Sequence, residues 1–139
     1  MKYKVDGEQK QLDTCYVSMM GQFPNSNPPF YYCSIGGGRY GENGIVATFY
    51  GNDEITATQY TEAIFPPARV PAATLGGYKD NDGNLYISWQ YGWTNYPVTV
   101  TITEVASGYV KGRFSGTMRM VEGTREVRIT DGEFLALTK

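Results

Sequence analysis

The sequence predicts an all-β domain built as an antiparallel two-sheet sandwich of about nine or ten strands, with a closed up-and-down or lipocalin-like barrel as the alternative. Three observations carry that prediction. Val98, Val100 and Ile102 alternate with Thr99, Thr101 and Thr103, the period of two that sends one row inward and the other outward. Ser107-Gly108, Glu122-Gly123 and Asp131-Gly132 fall between the apolar runs that follow, where reversing the chain needs residues that tolerate positive φ. Twelve Tyr, six Phe and two Trp stand beside seventeen Gly in 139 residues, a balance that suits pleated surfaces joined by tight turns.

Taken in order, Lys2 to Val5 reads as a strand entering a hairpin turn at Asp6-Gly7, and a longer strand follows through Tyr16 and Val17. The stretch Gly21 to Pro29, rich in Pro, Asn and Ser, is a loop, and Phe30 to Ile35 is the next strand. Gly36 to Gly41 reads as a flexible loop leading into the β-branched run Ile45 to Tyr50. Asn52 to Ala63 fits two readings, a short helix capped by Asn52 or Asp53, or an extended edge strand favoured by its threonines. Pro66, Pro67 and Pro71 make Phe65 to Pro71 a surface connection within one domain spanning residues 1–139, because proline lacks the amide donor and restricts its predecessor. Tyr78-Lys79 enters an acidic turn at Asp80 to Asn84, and Leu85 to Tyr91 leaves it. Val98 to Leu137 then supplies four strands joined by the three turn dipeptides named above.

Composition excludes more than it assigns. A chain of 15.5 kDa can bury about two thirds of the surface its unfolded form exposes, so it needs no metal to have a core. The net charge of −2 and the scattering of its twelve Lys and Arg leave no basic field for counterion release, which argues against nucleic acid. The chain has no histidine, which removes Ser-His-Asp and Cys-His catalysis. With only two cysteines it also lacks the ligands of ordinary zinc or copper sites. No metal, no cofactor and no catalytic residue is therefore expected. No apolar run approaches the roughly twenty residues of a transmembrane helix. Residues 2–7 read as a strand and turn rather than as a signal peptide. The protein is either cytoplasmic, or the mature part of an exported chain with a starting Met.

Several motifs invite a sharper reading. Cys15 and Cys33 lie in runs separated by the Pro-rich loop. A hairpin centred near Pro24 would set them opposite each other, where a disulfide closing such a loop contributes about 3 kcal/mol in the chain-entropy model. Two buried free thiols are the other reading. Gly36, Gly38 and Gly41 match G-x-G-x-x-G in form, but the phosphate-binding use of that motif needs a following helix, and a β-branched run follows here. Asp80 to Asn84 resembles the start of a calcium loop, yet its twelfth position is Tyr91 instead of a bidentate Glu, which favours a plain hairpin turn.

Leu85, Ile87, Trp89, Tyr91 and Trp93 share one parity and therefore one face of a strand. Ile87 and Trp89 are expected in the core, packed against the Val98–Ile102 row. Tyr91, Trp93 and Tyr96, at the open end of the row, are the candidate ligand-binding residues, offering rings on which sugars can stack. Fourteen acidic residues give many carboxylate pairs, and no spacing singles one out as a glycosidase pair. Arg113, Arg119, Arg125 and Arg128 fall in the terminal strands, where outward charges oppose edge-to-edge association, and a small anion site made from them is the other reading.

The run Gly108-Tyr109-Val110-Lys111-Gly112-Arg113-Phe114-Ser115-Gly116-Thr117, followed by Val127-Arg128-Ile129-Thr130-Asp131-Gly132-Glu133-Phe134, resembles the C-terminal signature of small Bacteroidales-type lipoproteins of unknown function. In these a "GxFSGT" strand precedes an "ITDGxF" hairpin. Tyr3 to Gly7 is similar to their first strand and turn. The resemblance implies export to the periplasm or cell surface and a lipid anchor on a cysteine upstream of this chain. It brings no catalytic residue. Three functions follow in order: a non-enzymatic envelope module recognising a glycan or a protein partner, a barrel carrying a small apolar ligand, and a carboxylate-based hydrolase.

Overall fold

Backbone hydrogen bonding joins every strand among the described residues into one mixed sheet. The computed structural model describes residues 1–22, 31–39, 42–52, 54–62, 71–90 and 96–138. Among them there is no helix. Twelve strands form: β1 (Lys2–Val5), β2 (Glu8–Gln11), β3 (Cys15–Gln22), β4 (Tyr31–Arg39), β5 (Glu42–Gly51), β6 (Gln59–Glu62), β7 (Ala72–Gly76), β8 (Tyr78–Lys79), β9 (Leu85–Ile87), β10 (Val98–Ala106), β11 (Tyr109–Met120) and β12 (Glu126–Leu137). The all-β class is as the alternation predicts. The two antiparallel sheets expected from sequence are a single sheet that also has parallel steps.

The sheet bends back on itself. Pairing runs β12-β3-β4-β5-β7-β6-β10-β11, and β11 pairs again with β12, so these strands complete a circuit. It is not a regular barrel. The β12–β3 step is parallel and rests on one residue pair, Leu137 and Tyr16. The β6–β7 step is also parallel, through Thr61 with Ala72 and Glu62 with Ala73. The β1–β2 hairpin flanks β12, and the β8–β9 pair flanks the end of β11. Of the Asn52 to Ala63 region read as helix or edge strand, Gln59–Glu62 is β6, an interior strand paired with β7 on one side and β10 on the other.

The alternating residues do what their period requires. Val98, Val100 and Ile102 are at most 2% exposed, and burying side chains of this size contributes roughly 1.5–3 kcal/mol each. They share one core with Phe49, Tyr60, Tyr86, Phe114 and Met118. The Asp6-Gly7 hairpin forms as expected, with φ of 48° and 86°, the signs that a tight two-residue turn needs. Asp6 also accepts a hydrogen bond from the Arg128 amide at 2.8 Å, which ties the turn to β12.

Four sequence expectations change. Asp131-Gly132 is not a turn, so Val98 to Leu137 makes three strands. Between Phe114 and Gly116 the β11–β12 register slips by one residue, and Asp131 takes a φ of 52°. This is a bulge, which shares with turns a preference for residues that tolerate the left-handed region. It switches inward parity in β12 from Val127 and Ile129 to Gly132, Phe134 and Ala136. Second, Gly36 to Gly38 lie within β4. A Cβ at Gly37 would sit 2.6 Å from Met1 Sδ and 2.9 Å from Leu12 Cδ1, so side chains from elsewhere fill the space that these glycines leave. Gly41 and most of Phe65 to Pro71 lie outside the described residues.

Third, Cys15 pairs with Gly37 and Cys33 with Met20. The five-residue offset between Cys15 and Met20 corresponds to roughly 15 Å along a strand, beyond the Cα separation of about 7 Å that a disulfide can span. Both thiols are free, and burial pushes that of Cys33 up to about 12. Fourth, the aromatic row is turned the other way. Tyr86 and Ser88 point inward, at 0% and 2% exposure, while Leu85, Ile87 and Trp89 are half-buried on the outer side.

Glycine and aromatic residues are matched across the ladders. Gly112 faces Phe134, and Gly132 faces Phe114, in β11–β12. Tyr16 faces Gly36, and Gly21 faces Tyr32, in β3–β4. In each pair the missing side chain makes room for the opposing ring, which covers backbone that would otherwise be bare. A Cβ at Gly112 would stand 2.8 Å from Phe134 Cζ, and one at Gly132 would stand 2.7 Å from both Cδ atoms of Phe114. The "GRFSG" and "DGEF" sequences are therefore two halves of one interlocked packing unit.

Candidate functional site

Polar groups pull the β9 segment into a position that leaves Trp89 on the outer surface. The Ser88 amide donates to the Leu75 carbonyl at 2.8 Å, and the Leu75 amide donates to Ser88 Oγ at 2.9 Å. The Tyr86 hydroxyl donates to Asp80 Oδ2 at 3.0 Å. With these inward polar atoms satisfied, period-two alternation places Ile87 and Trp89 over the outer faces of β5 and β7. Gly76 gives Ile87 a seat, since a Cβ there would meet Ile87 Cγ2 at 3.5 Å, in ordinary contact.

The result is an open cleft of about 320 Å³ lined by Val46, Thr48, Tyr50, Thr74, Ile87 and Trp89, together with backbone at Leu75 to Gly77. Register explains its chemistry. Ser34, Thr48 and Thr74 form one cross-strand row, and Tyr32, Tyr50 and Ala72 form the next. Ser34 Oγ and Thr48 Oγ1 share a hydrogen bond at 2.9 Å. The Tyr50 phenol is pushed up by burial, against a hydrogen bond with Thr74 that favours ionisation, so it stays neutral near neutral pH. The cleft thus has an indole wall and a floor of hydroxyls.

A second, larger depression lies on the outer face of β10, β11 and β12. It holds about 740 Å³ between Lys2, Gln11, Thr103, Lys111, Arg113, Glu133 and Leu135. A smaller one of about 420 Å³ adjoins it, sharing Arg113 and Glu133 and adding Thr99, Thr101, Ser115 and Asp131.

Of the ligand residues expected from sequence, Tyr91 and Trp93 lie outside the described residues. Tyr96 is half-buried just before β10 and does not line the Trp89 cleft. Asp80 organises its own turn, accepting from the Asp82 amide, the Asn84 amide and side chain, and Tyr86. Burial opposes its ionisation, and these hydrogen bonds outweigh that effect and hold its carboxyl below the ordinary range. Among the described residues no three Asp, Glu or Cys side chains gather as a metal site.

Sequence reasoning missed Thr48, Tyr50 and Thr74. The signal available was the polar member of Val46-Ala47-Thr48-Phe49-Tyr50, whose alternation marks Thr48 as outward. It also assigned Trp89 to the core. Compared with known proteins, the chain matches no family model, no curated protein and no solved structure.

Proposed function

We propose that the protein is a non-catalytic binding module that takes a neutral sugar ring in the cleft beside Trp89. The supporting observation is the outward turn of Ile87 and Trp89 above Thr48, Tyr50 and Thr74. A pyranose ring has one face of C–H groups and a rim of hydroxyls. The indole offers a flat apolar surface for the first, and the threonine row offers hydrogen-bond partners for the second. An exported, envelope-associated setting goes with this reading and rests on the resemblance of the terminal strands. The interior of the circuit is filled by Phe49, Tyr60, Tyr86, Phe114 and Met118, which argues against the apolar-carrier alternative.

The test uses tryptophan emission. The chain has two Trp, at 89 and 93, so Trp93→Phe isolates the signal of Trp89. A panel of neutral oligosaccharides is titrated, and at least one is expected to shift the emission saturably. Trp89→Ala should weaken that ligand about tenfold or more, equivalent to about 1.4 kcal/mol. Equal affinity in Trp89→Ala, or no response across the panel, would reject the assignment.

A further inference from the structure

We propose that the larger polar depression is a second binding site, for a carboxylate-bearing sugar gripped by Arg113 and Lys111. Arg113 stands directly opposite Glu133, and Lys111 is paired in register with Glu104. Each cation thus has an acid across the ladder, yet each acid is engaged elsewhere. Glu133 Oε2 lies 3.1 Å from Lys2 Nζ, and Glu104 accepts a hydrogen bond from the Tyr109 hydroxyl. Among the described residues no carboxylate comes within 4.0 Å of Lys111 or Arg113.

Lys111 and Arg113 therefore project without an ion pair from neighbouring outward positions of β11, and with Lys2 they outnumber Glu133, the one acid lining the larger depression, in a protein whose net charge is −2. This local excess favours an anion against the sign of the whole molecule. Arg113 presents a planar fork that matches a carboxylate through two parallel hydrogen bonds, and Lys111 adds a point charge. Around them stand the hydroxyls of Thr99, Thr101, Thr103 and Ser115. Thr103 donates to the Lys111 carbonyl at 3.2 Å, which leaves its oxygen able to accept. Hydroxyl partners flanking a carboxylate clamp suit a uronate ring better than a bare anion. The two depressions, of about 740 and 420 Å³, meet at Arg113 and Glu133. This site shares no residue with the Trp89 cleft, so either assignment can fail alone.

The probe is trigalacturonate, with its fully methyl-esterified form as the neutral control, followed by amide chemical-shift perturbation on the whole chain. Trigalacturonate is expected to move the amides of Gly112, Arg113, Ser115 and Gly132, and the ester to leave them unmoved. The double variant Lys111→Gln, Arg113→Gln, altered only at exposed positions, should bind at least about tenfold more weakly. Trp89→Ala should bind as the parent does. The proposal is overturned by no perturbation at millimolar trigalacturonate, by equal binding of the ester, or by unchanged affinity in the double variant. Inorganic phosphate binding as tightly as trigalacturonate would mark a simple anion trap and would also overturn it.

Discussion

Replacing Gly132 by Ala tests the interlocked packing of β11 and β12. The added methyl would meet the Phe114 carbonyl oxygen at 2.5 Å and both Cδ atoms of its ring at 2.7 Å. The carbonyl belongs to the ladder and has little freedom, so the ring and the local strand spacing must both give way. Phe114 is 3% exposed and packs against Tyr3 and Phe134 at centroid distances of 5.9 and 6.3 Å. Each such ring pair contributes about 0.5–1.5 kcal/mol beyond area burial, and overpacking a filled core costs about 1–3 kcal/mol. A loss near 3 kcal/mol follows, a large share of the roughly 5–15 kcal/mol typical of whole domains. In urea, with a slope of about 2 kcal/mol/M, the midpoint should fall by about 1.5 M. Gly83→Ala is the control. Nothing lies within 4 Å of its Cβ position and its φ is +84°, so it incurs only backbone strain of about 1 kcal/mol. A Gly132→Ala midpoint within about 0.5 M of the parent would refute the packing argument.

Two pH effects follow from buried groups. The Cys33 thiol is held neutral by burial, with its pKa pushed up to about 12, so its contribution is complete below the unfolded value near 8.5 and fades as pH rises toward the folded one. Urea midpoints should fall between pH 8.5 and 10 at up to about 1.4 kcal/mol per pH unit for this group, and Cys33→Val should flatten the slope. Cys15 shifts in the same direction and adds to the effect. Asp80 behaves in the opposite sense. Its carboxyl lies below the usual range, so the stability it confers is present above an unfolded pKa of about 3.9 and is lost as pH falls through the folded value. Asp80→Ala should destabilise at pH 7 by about 2 kcal/mol through unmet donors at Asn84 and Tyr86, and the difference from the parent should shrink in thermal melts below pH 3.

Local periodicity was legible, and long-range pairing was not. The Val98–Ile102 row could be assigned inward because threonine alternates with it and leaves no ambiguity of face. The Leu85–Trp93 row has large apolar residues on one parity, but its other parity holds Tyr86 and Ser88. Hydrogen bonds to Asp80 and Leu75 let those two enter the core, and only the fold supplies the partners. Asp131-Gly132 misled because bulges and turns select the same residues. The glycines of β4 looked like loop because the side chains that fill their space, Met1 and Leu12, are distant in sequence. The cysteine register depended on where the hairpin reverses, which the composition of the intervening loop does not fix. Arg113 was visible as an outward residue, and Lys111 only as a member of the same strand. That their cross-strand acids are diverted was not, since it depends on Lys2 and Tyr109.

Closure of the circuit at Leu137 and Tyr16 has a consequence for how the chain acquires its structure. The last strand is the neighbour of β1, β3 and β11 at once, and the Asp6–Arg128 hydrogen bond spans 122 positions. Until that strand arrives, both β1 and β3 present bare edges to solvent and to other chains. Topology of this kind folds slowly, because ring closure over such separations precedes the contacts that reward it. The exposed edges of the incomplete sheet are then the point at which newly made chains are most prone to associate.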